Sequence, residues 1–135
     1  MRVLTRKSNL RLLIRRPAAF VGAYRWGLLI LLAGATWDAY TTIQFVTNHG
    51  AQEELHPVAR LFFQIFLHFL PYPVLAVAVG KIVQVLFVMF VSAIWRGWCN
   101  AILVACGILY LLAGCSNHFG WMVHFYRLFP GLLYD

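Results

Sequence analysis

The feature that most constrains this chain is a series of long apolar stretches, the clearest of which covers residues 74–95 and holds a single charge, Lys81. Residues 27–47 and 100–116 have a similar composition. About 20 apolar residues in a helix are enough to cross the hydrocarbon core of a bilayer. Because lipid offers no hydrogen bonds to the backbone, each stretch is expected to form a helix, which pairs its own backbone groups.

The composition of the whole chain agrees with a membrane location. Hydrophobic residues make up 62% of the chain and charged residues only 11%, whereas about a quarter of the residues in soluble domains are charged. The predicted fold class is therefore all-α, a polytopic integral membrane protein with about three transmembrane helices. Residues 27–118 are predicted to form the membrane domain, and the aromatic-rich residues 119–135 are expected along the outer surface.

A shorter apolar stretch, residues 58–70, follows Pro57 in the loop between the first two spans. It is too short to cross a bilayer. Proline suits the first turn of a helix, since its missing N–H would be unpaired there in any case. The sequence predicts a short helix that lies at the outer interface or re-enters the membrane.

Residues 1–26 form a basic N-terminal segment that holds most of the chain's positive charge. The basic residues before the first apolar run are Arg2, Arg6, Lys7, Arg11, Arg15, Arg16 and Arg25. In a soluble protein such a cluster would suggest nucleic acid. Beside a membrane span it indicates a cytoplasmic flank that contacts anionic lipid, with no nucleic-acid partner. We therefore expect a prokaryotic inner-membrane protein with a cytoplasmic N-terminus and a periplasmic C-terminus.

Two opposite charges fall at comparable depth on consecutive spans, Asp38 on the first and Lys81 on the second. Each would cost on the order of 3 kcal/mol if it were alone in the bilayer. A contact between them is therefore expected, with polar neighbours one turn away on the same helix faces. The predicted intramembrane polar cluster comprises Asp38, Thr41, Thr42, Lys81, Gln84, Tyr110 and Asn117.

This cluster allows two interpretations. One is a polar lock that fixes the register of the helices. The other is a proton or ion relay, or a site for a lipid headgroup.

Imidazole and carboxylate groups gather on the predicted outer side, and together they suit zinc, copper or iron. The candidate metal ligands are His49, Glu53, His56 and His118. No H-x-x-x-H or H-E-x-x-H spacing occurs, so no histidine pair is preformed on one helix face. Solvated loop residues are the simpler interpretation, and Glu53 and Glu54 also suit the positive end of the helix that begins at Pro57.

Cofactors are only partly constrained by the sequence. A transmembrane haem is disfavoured, because none of the five histidines lies in the middle of a predicted span. Bound lipid or pigment stays open, since aromatic residues make up 16% of the chain and large aromatic side chains favour such contacts. No phosphate-binding loop or nucleophile motif is found in the sequence, and the chain is predicted not to be an enzyme.

The polar residues also follow a recognisable order along the chain: Asp38, Thr42, Gly50, Glu54, His56, Pro57 and Lys81. This order, D-x-x-x-T … G … E-x-H-P … K, resembles that of an uncharacterised family of small prokaryotic polytopic membrane proteins. The resemblance covers about residues 27–118 and matches Tyr110 and Asn117 to a tyrosine and an asparagine near the end of the family's last span. It implies the topology and the importance of the polar residues, but not a mechanism. The family usually has asparagine where this chain has His56, so the resemblance implies no role for an amide there.

Three functions are consistent with these features. The favoured one is a non-catalytic accessory subunit that stabilises a larger assembly of integral membrane subunits, because little of the chain lies outside the predicted membrane region. The alternative is a homo-oligomeric small transporter or ion or proton relay that uses the polar cluster. A weaker alternative is an outer-face metal-binding or lipid-acting protein.

Overall fold

The computed structural model describes residues 7–49, 61, 65, 68, 69 and 72–120, and the regular structure within them is helical. The helices are α1 (Lys7–Arg15), α2 (Pro17–Ala23), α3 (Arg25–His49), α4 (Pro73–Ile94), a 3-10 turn (Arg96–Trp98) and α5 (Cys99–Phe119). The predicted all-α fold is confirmed for this part of the chain. Of the short helix predicted at residues 58–70, only Leu61, Ile65, His68 and Phe69 are described, and these four are helical. The rest of that stretch and residues 121–135 lie outside the described residues.

The apolar helices make this an integral membrane protein. α4 and α5 are each long and apolar enough to cross a bilayer. α2 and α3 meet this criterion only as a pair, and they are bent by 91° at the break between them. α3 is less apolar because it contains several polar residues, among them Asp38 and Gln44. By length and composition, the described residues therefore hold two membrane-spanning helices, or three if the bent pair is one span.

Prolines and one glycine define several helix ends. Pro17 and Pro73 each occupy the first turn of a helix, where a missing N–H costs no hydrogen bond. α5 ends at Gly120, whose φ of 66° is the left-handed conformation that glycine adopts without steric cost. The third span was predicted to end at residue 116, which is too early. The helix continues through Asn117 and His118, and Gly120 terminates it. α3 likewise extends two residues beyond each end of the predicted 27–47.

α3 and α5 run parallel to each other, and α4 runs antiparallel to both. Gly27 lies beside Asn100, and one helical heptad later Gly34 lies beside Gly107. In contrast, Val46 near the end of α3 packs close to the start of α4 at Val77. The three long helices therefore form an up-down-up bundle in which α3 has its most extensive contact with α5.

The interior of the bundle is layered. A large apolar cluster at one end includes Leu31 and Ala35 of α3, together with residues of α4 and α5. A smaller one at the other end is formed by Val46 and Val77. The buried residues Asp38, Thr41 and Thr42 lie between these clusters along α3. A polar layer is thus enclosed by apolar packing on both sides.

Close backbone contact between α3 and α5 depends on glycine. A Cβ atom on Gly107 would lie 2.7 Å from both the carbonyl oxygen of Ile30 and the backbone nitrogen of Leu31. A Cβ atom on Gly34 would overlap the Gly107 carbonyl oxygen. Small residues allow this approach in membrane helices, where packing and not the hydrophobic effect drives association.

The glycine contact gives a first prediction. Gly107→Ala should lower the free energy of unfolding by about 1–3 kcal/mol, because the added methyl group forces two backbones apart. Unfolding in mixed micelles titrated with a denaturing detergent measures this change. Gly22→Ala is the matched control, since no heavy atom lies within 4 Å of a Cβ at that position. Equal effects of the two substitutions would contradict the role of the contact.

Candidate functional site

The candidate site is built around an ion pair between Asp38 of α3 and Lys81 of α4. Asp38 lies near the middle of α3 and is only 5% exposed. The Lys81 side chain is 18% exposed, and its ammonium nitrogen also lies 4.6 Å from the ring centroid of Tyr110 on α5. At that distance the ring face attracts the cation. The ammonium group therefore lies at the point where α3, α4 and α5 meet.

A single amide oxygen connects α4 to α5 beside the ion pair. Lys81 Nζ donates a hydrogen bond to Gln84 Oε1 at 3.1 Å. The Tyr110 hydroxyl donates to the same oxygen at 3.2 Å. Gln84 lies one turn after Lys81 on α4, which places its amide oxygen beside the ammonium group. Because the same oxygen also accepts from Tyr110, it holds the ammonium group and the tyrosine of the neighbouring helix together.

Asn117 of α5 donates a hydrogen bond to the other oxygen of the Asp38 carboxylate. Its Nδ2 donates to Asp38 Oδ1 at 3.4 Å and to Thr42 Oγ1 at 3.2 Å. The two carboxylate oxygens of Asp38 thus face different helices, since Oδ2 faces Lys81. Thr41 is buried, and its hydroxyl donates within α3 to the Asp38 carbonyl at 3.1 Å.

The structure therefore brings all seven residues of the predicted polar cluster into one layer. Six of them form a continuous side-chain network, and Thr41 lies against it. What this network does in the protein stays a prediction. Chemically, its charges are opposite and paired, and its donors and acceptors are directed at one another, which is the arrangement that makes a buried polar network stabilising.

Two features of the site were not predicted from the sequence. A Cβ atom added at Gly114 would overlap the Trp37 side chain and lie 3.1 Å from Asp38 Cα, so the ion pair lies directly at a close helix contact. Ser116 Oγ is buried and has no hydrogen-bond partner among the described residues. The spacing of seven residues between Gly107 and Gly114 was the available signal for the first feature.

Most of the predicted outer-face residues lie outside the described part of the chain. Gly50, Glu53, Glu54, His56 and Pro57 lie outside the described residues, and so does the side chain of His49. His118 is exposed, with its ring 5.7 Å from Trp37 and 4.9 Å from Phe119. Within the described ranges, no group of three or more His, Cys, Asp or Glu could hold a metal ion.

Comparison of the chain with protein-family models, with curated proteins and with solved structures gives no match. Fold and site together define the class: an all-helical integral membrane protein with a paired charge in its interior. The family suggested by the order of the polar residues stays a prediction.

The ion pair gives a second prediction. Lys81→Met should lower the free energy of unfolding by about 3–5 kcal/mol, because it leaves Asp38 buried without its partner. The double variant Asp38→Leu, Lys81→Met should cost less than the sum of the two single changes, since it removes both charges together. Unfolding in mixed micelles measures all three variants.

Ile82→Ala serves as the control for this cycle, because Ile82 is the next residue on α4 and points away from the bundle. Its effect should stay within about 0.5 kcal/mol. Additive effects of the two single changes would contradict the coupling between Asp38 and Lys81.

Proposed function

We propose that this protein is a non-catalytic accessory subunit that packs against another integral membrane protein through the outward face of α3. The observation that carries this proposal is the polar chemistry of that face. Thr36, Tyr40 and Gln44 are exposed at intervals of one helical turn, and Tyr40 is 52% exposed. The Gln44 amide donates to the Tyr40 hydroxyl at 2.7 Å.

The depth of these residues makes the face unsuited to lipid. The centre of α3 falls at Trp37, so Thr36 lies at mid-depth if α3 crosses the bilayer. Gln44 then lies about 10 Å from the centre at ~1.5 Å per residue, within the half-thickness of about 15 Å. Polar side chains at such depths hydrogen-bond across helix interfaces in membrane proteins.

The same face carries a shallow, open depression that a partner helix could cover. It is lined by Leu29, Leu32, Ala33, Thr36, Trp37 and Tyr40. Its small residue, Ala33, permits close approach of a neighbouring backbone. The outward face of α4 differs, because its exposed residues Ile82, Leu86 and Phe87 are all apolar. We therefore assign α4 to lipid and α3 to a transmembrane helix of the partner.

The proposal includes three membrane spans. α3 runs parallel to α5 over most of its length, from Gly27 beside Asn100 to Thr42 beside Asn117. A helix aligned in this way with a membrane-spanning neighbour crosses the same bilayer. The 91° bend then directs α2 along the membrane surface. The basic N-terminal segment lies on the cytoplasmic side of a prokaryotic inner membrane by the positive-inside rule.

In this proposal the polar network is an internal fastening and not a conduction path. Apolar clusters enclose it at both ends of the bundle. A relay would need polar groups or water that continue towards both surfaces. The network instead joins α3, α4 and α5 so that the outward face of α3 is presented in a fixed orientation.

A third prediction tests the partner face directly. A photo-reactive amino acid at Thr36, Tyr40 or Gln44, activated in intact membranes, should form a covalent adduct with another membrane protein. The same amino acid at Ile82, Leu86 or Phe87 of α4 is the matched control, and it should react with lipid. Gel mobility and mass spectrometry distinguish the adducts.

Equal protein adducts from α3 and α4 would contradict the proposed face. Adducts consisting only of two copies of this chain would contradict an accessory role and favour the homo-oligomeric transporter.

A fourth prediction distinguishes a polar network that only fastens the helices together from one that conducts protons. Liposomes that contain the purified protein should show the same proton flux as protein-free liposomes under an imposed pH gradient, because apolar clusters of the described residues lie on both sides of the polar network along the bundle. A pH-sensitive dye trapped inside measures the flux. A proton flux that the protein raises and that Asp38→Asn abolishes would contradict the accessory role and establish the relay.

A further inference from the structure

The basic residues of the described structure gather at one end of the bundle. They belong to α1, the α1–α2 link, the start of α3 and the turn between α4 and α5, and comprise Lys7, Arg11, Arg15, Arg16, Arg25 and Arg96. Lys81, the other basic residue apart from histidine in the described ranges, is paired inside the bundle. Asp38 is the one carboxylate in these ranges, so no acidic side chain described here neutralises that end.

The N-terminal helices are docked onto the bundle by apolar side chains. Leu10 and Leu13 of α1 pack against the large apolar cluster. Phe20 of α2 is fully buried in it, with its ring 4.9 Å from that of Tyr24. α1 also contacts α4 directly. The arginines are therefore carried by a docked platform and not by a free tail.

The exposed side of this platform combines positive charge with apolar side chains. Arg11, Arg15, Arg16 and Arg25 are all exposed. Ile14, between the first two, is 68% exposed, and Trp26 at the start of α3 is 66% exposed. The Arg25 guanidinium lies 5.3 Å from the Trp26 ring centroid. Tryptophan and arginine side by side are typical of the level of the lipid headgroups.

We propose that α1, the α1–α2 link and the start of α3 form a binding surface for anionic phospholipid. Arg11, Arg15, Arg16 and Arg25 contact the negatively charged headgroups, while Ile14 and Trp26 reach the boundary with the acyl chains. The right-angle bend between α2 and α3 directs the platform along the bilayer plane. Exposed apolar side chains next to the arginines favour lipid over nucleic acid, because acyl chains offer them far more apolar surface than a duplex does. This proposal rests on the proposed topology, in which α3 crosses the bilayer, but it does not depend on a partner at α3.

The test compares lipid binding to the full chain in neutral detergent micelles. Native mass spectrometry counts bound phosphatidylglycerol and phosphatidylcholine as each is titrated. The wild type should bind the anionic lipid preferentially, and added salt should weaken this preference through screening. The triple variant Arg11→Gln, Arg15→Gln, Arg16→Gln should lose affinity for phosphatidylglycerol about 100-fold, at about fivefold for each basic residue.

The matched control replaces the same three arginines by lysine. It keeps the charge and should bind phosphatidylglycerol within about threefold of wild type, since the attraction depends mainly on charge. Because all three side chains are exposed, detergent-induced unfolding should be the same for both variants and the wild type. Unchanged binding by the glutamine variant, or equal binding of the two lipids by the wild type, would overturn the proposal. Tighter binding of a short DNA duplex than of phosphatidylglycerol would also overturn it.

Discussion

The cost of a charge in hydrocarbon determines how this protein is assembled. Neither Asp38 nor Lys81 is favourable alone at its depth, and pairing them fixes α3 against α4 in one register. Asn117 and Tyr110 then attach α5 to the same point from two sides. A displacement of any one helix by a single turn would separate donors from acceptors. We infer that the ion pair favours one register of the helices, in line with its proposed role as an internal fastening.

The glycine contacts and the ion pair depend on each other. Hydrogen bonds from Asn117 to α3 need the two parallel helices to be close, and Gly34, Gly107 and Gly114 permit that distance. In return, a polar layer between two apolar clusters keeps the glycines opposite each other along the helices. Two helix surfaces that meet at glycines can shift along each other at little cost, whereas a shift would separate charged groups from their partners. Steric fit and electrostatics thus act on the same pair of helices.

Much of the fold follows from the sequence, because lipid leaves few alternatives. An apolar stretch of about 20 residues must be helical, and two opposite charges at similar depth have a strong reason to meet. A contact between Asp38 and Lys81 could therefore be predicted from the sequence alone. The close contact of Gly34 with Gly107 could not, because it depends on how α3 and α5 are rotated about their axes. The end of α5 was also predicted too early, because the helix continues through Asn117 and His118 to Phe119 and is capped by Gly120.

The order of the helices along the chain has a consequence for biosynthesis. Asp38 emerges from the ribosome about 40 residues before Lys81, and Asn117 follows later still. During that interval the carboxylate has neither of its partners, although α3 has already been made. If α3 crosses the bilayer as proposed, we expect the nascent helix to stay beside the insertion machinery until α4 is delivered to it. On the proposed topology we therefore expect release of α3 into the bilayer to follow translation of α4, because a chain that ends before Lys81 would leave Asp38 in the membrane without its partner.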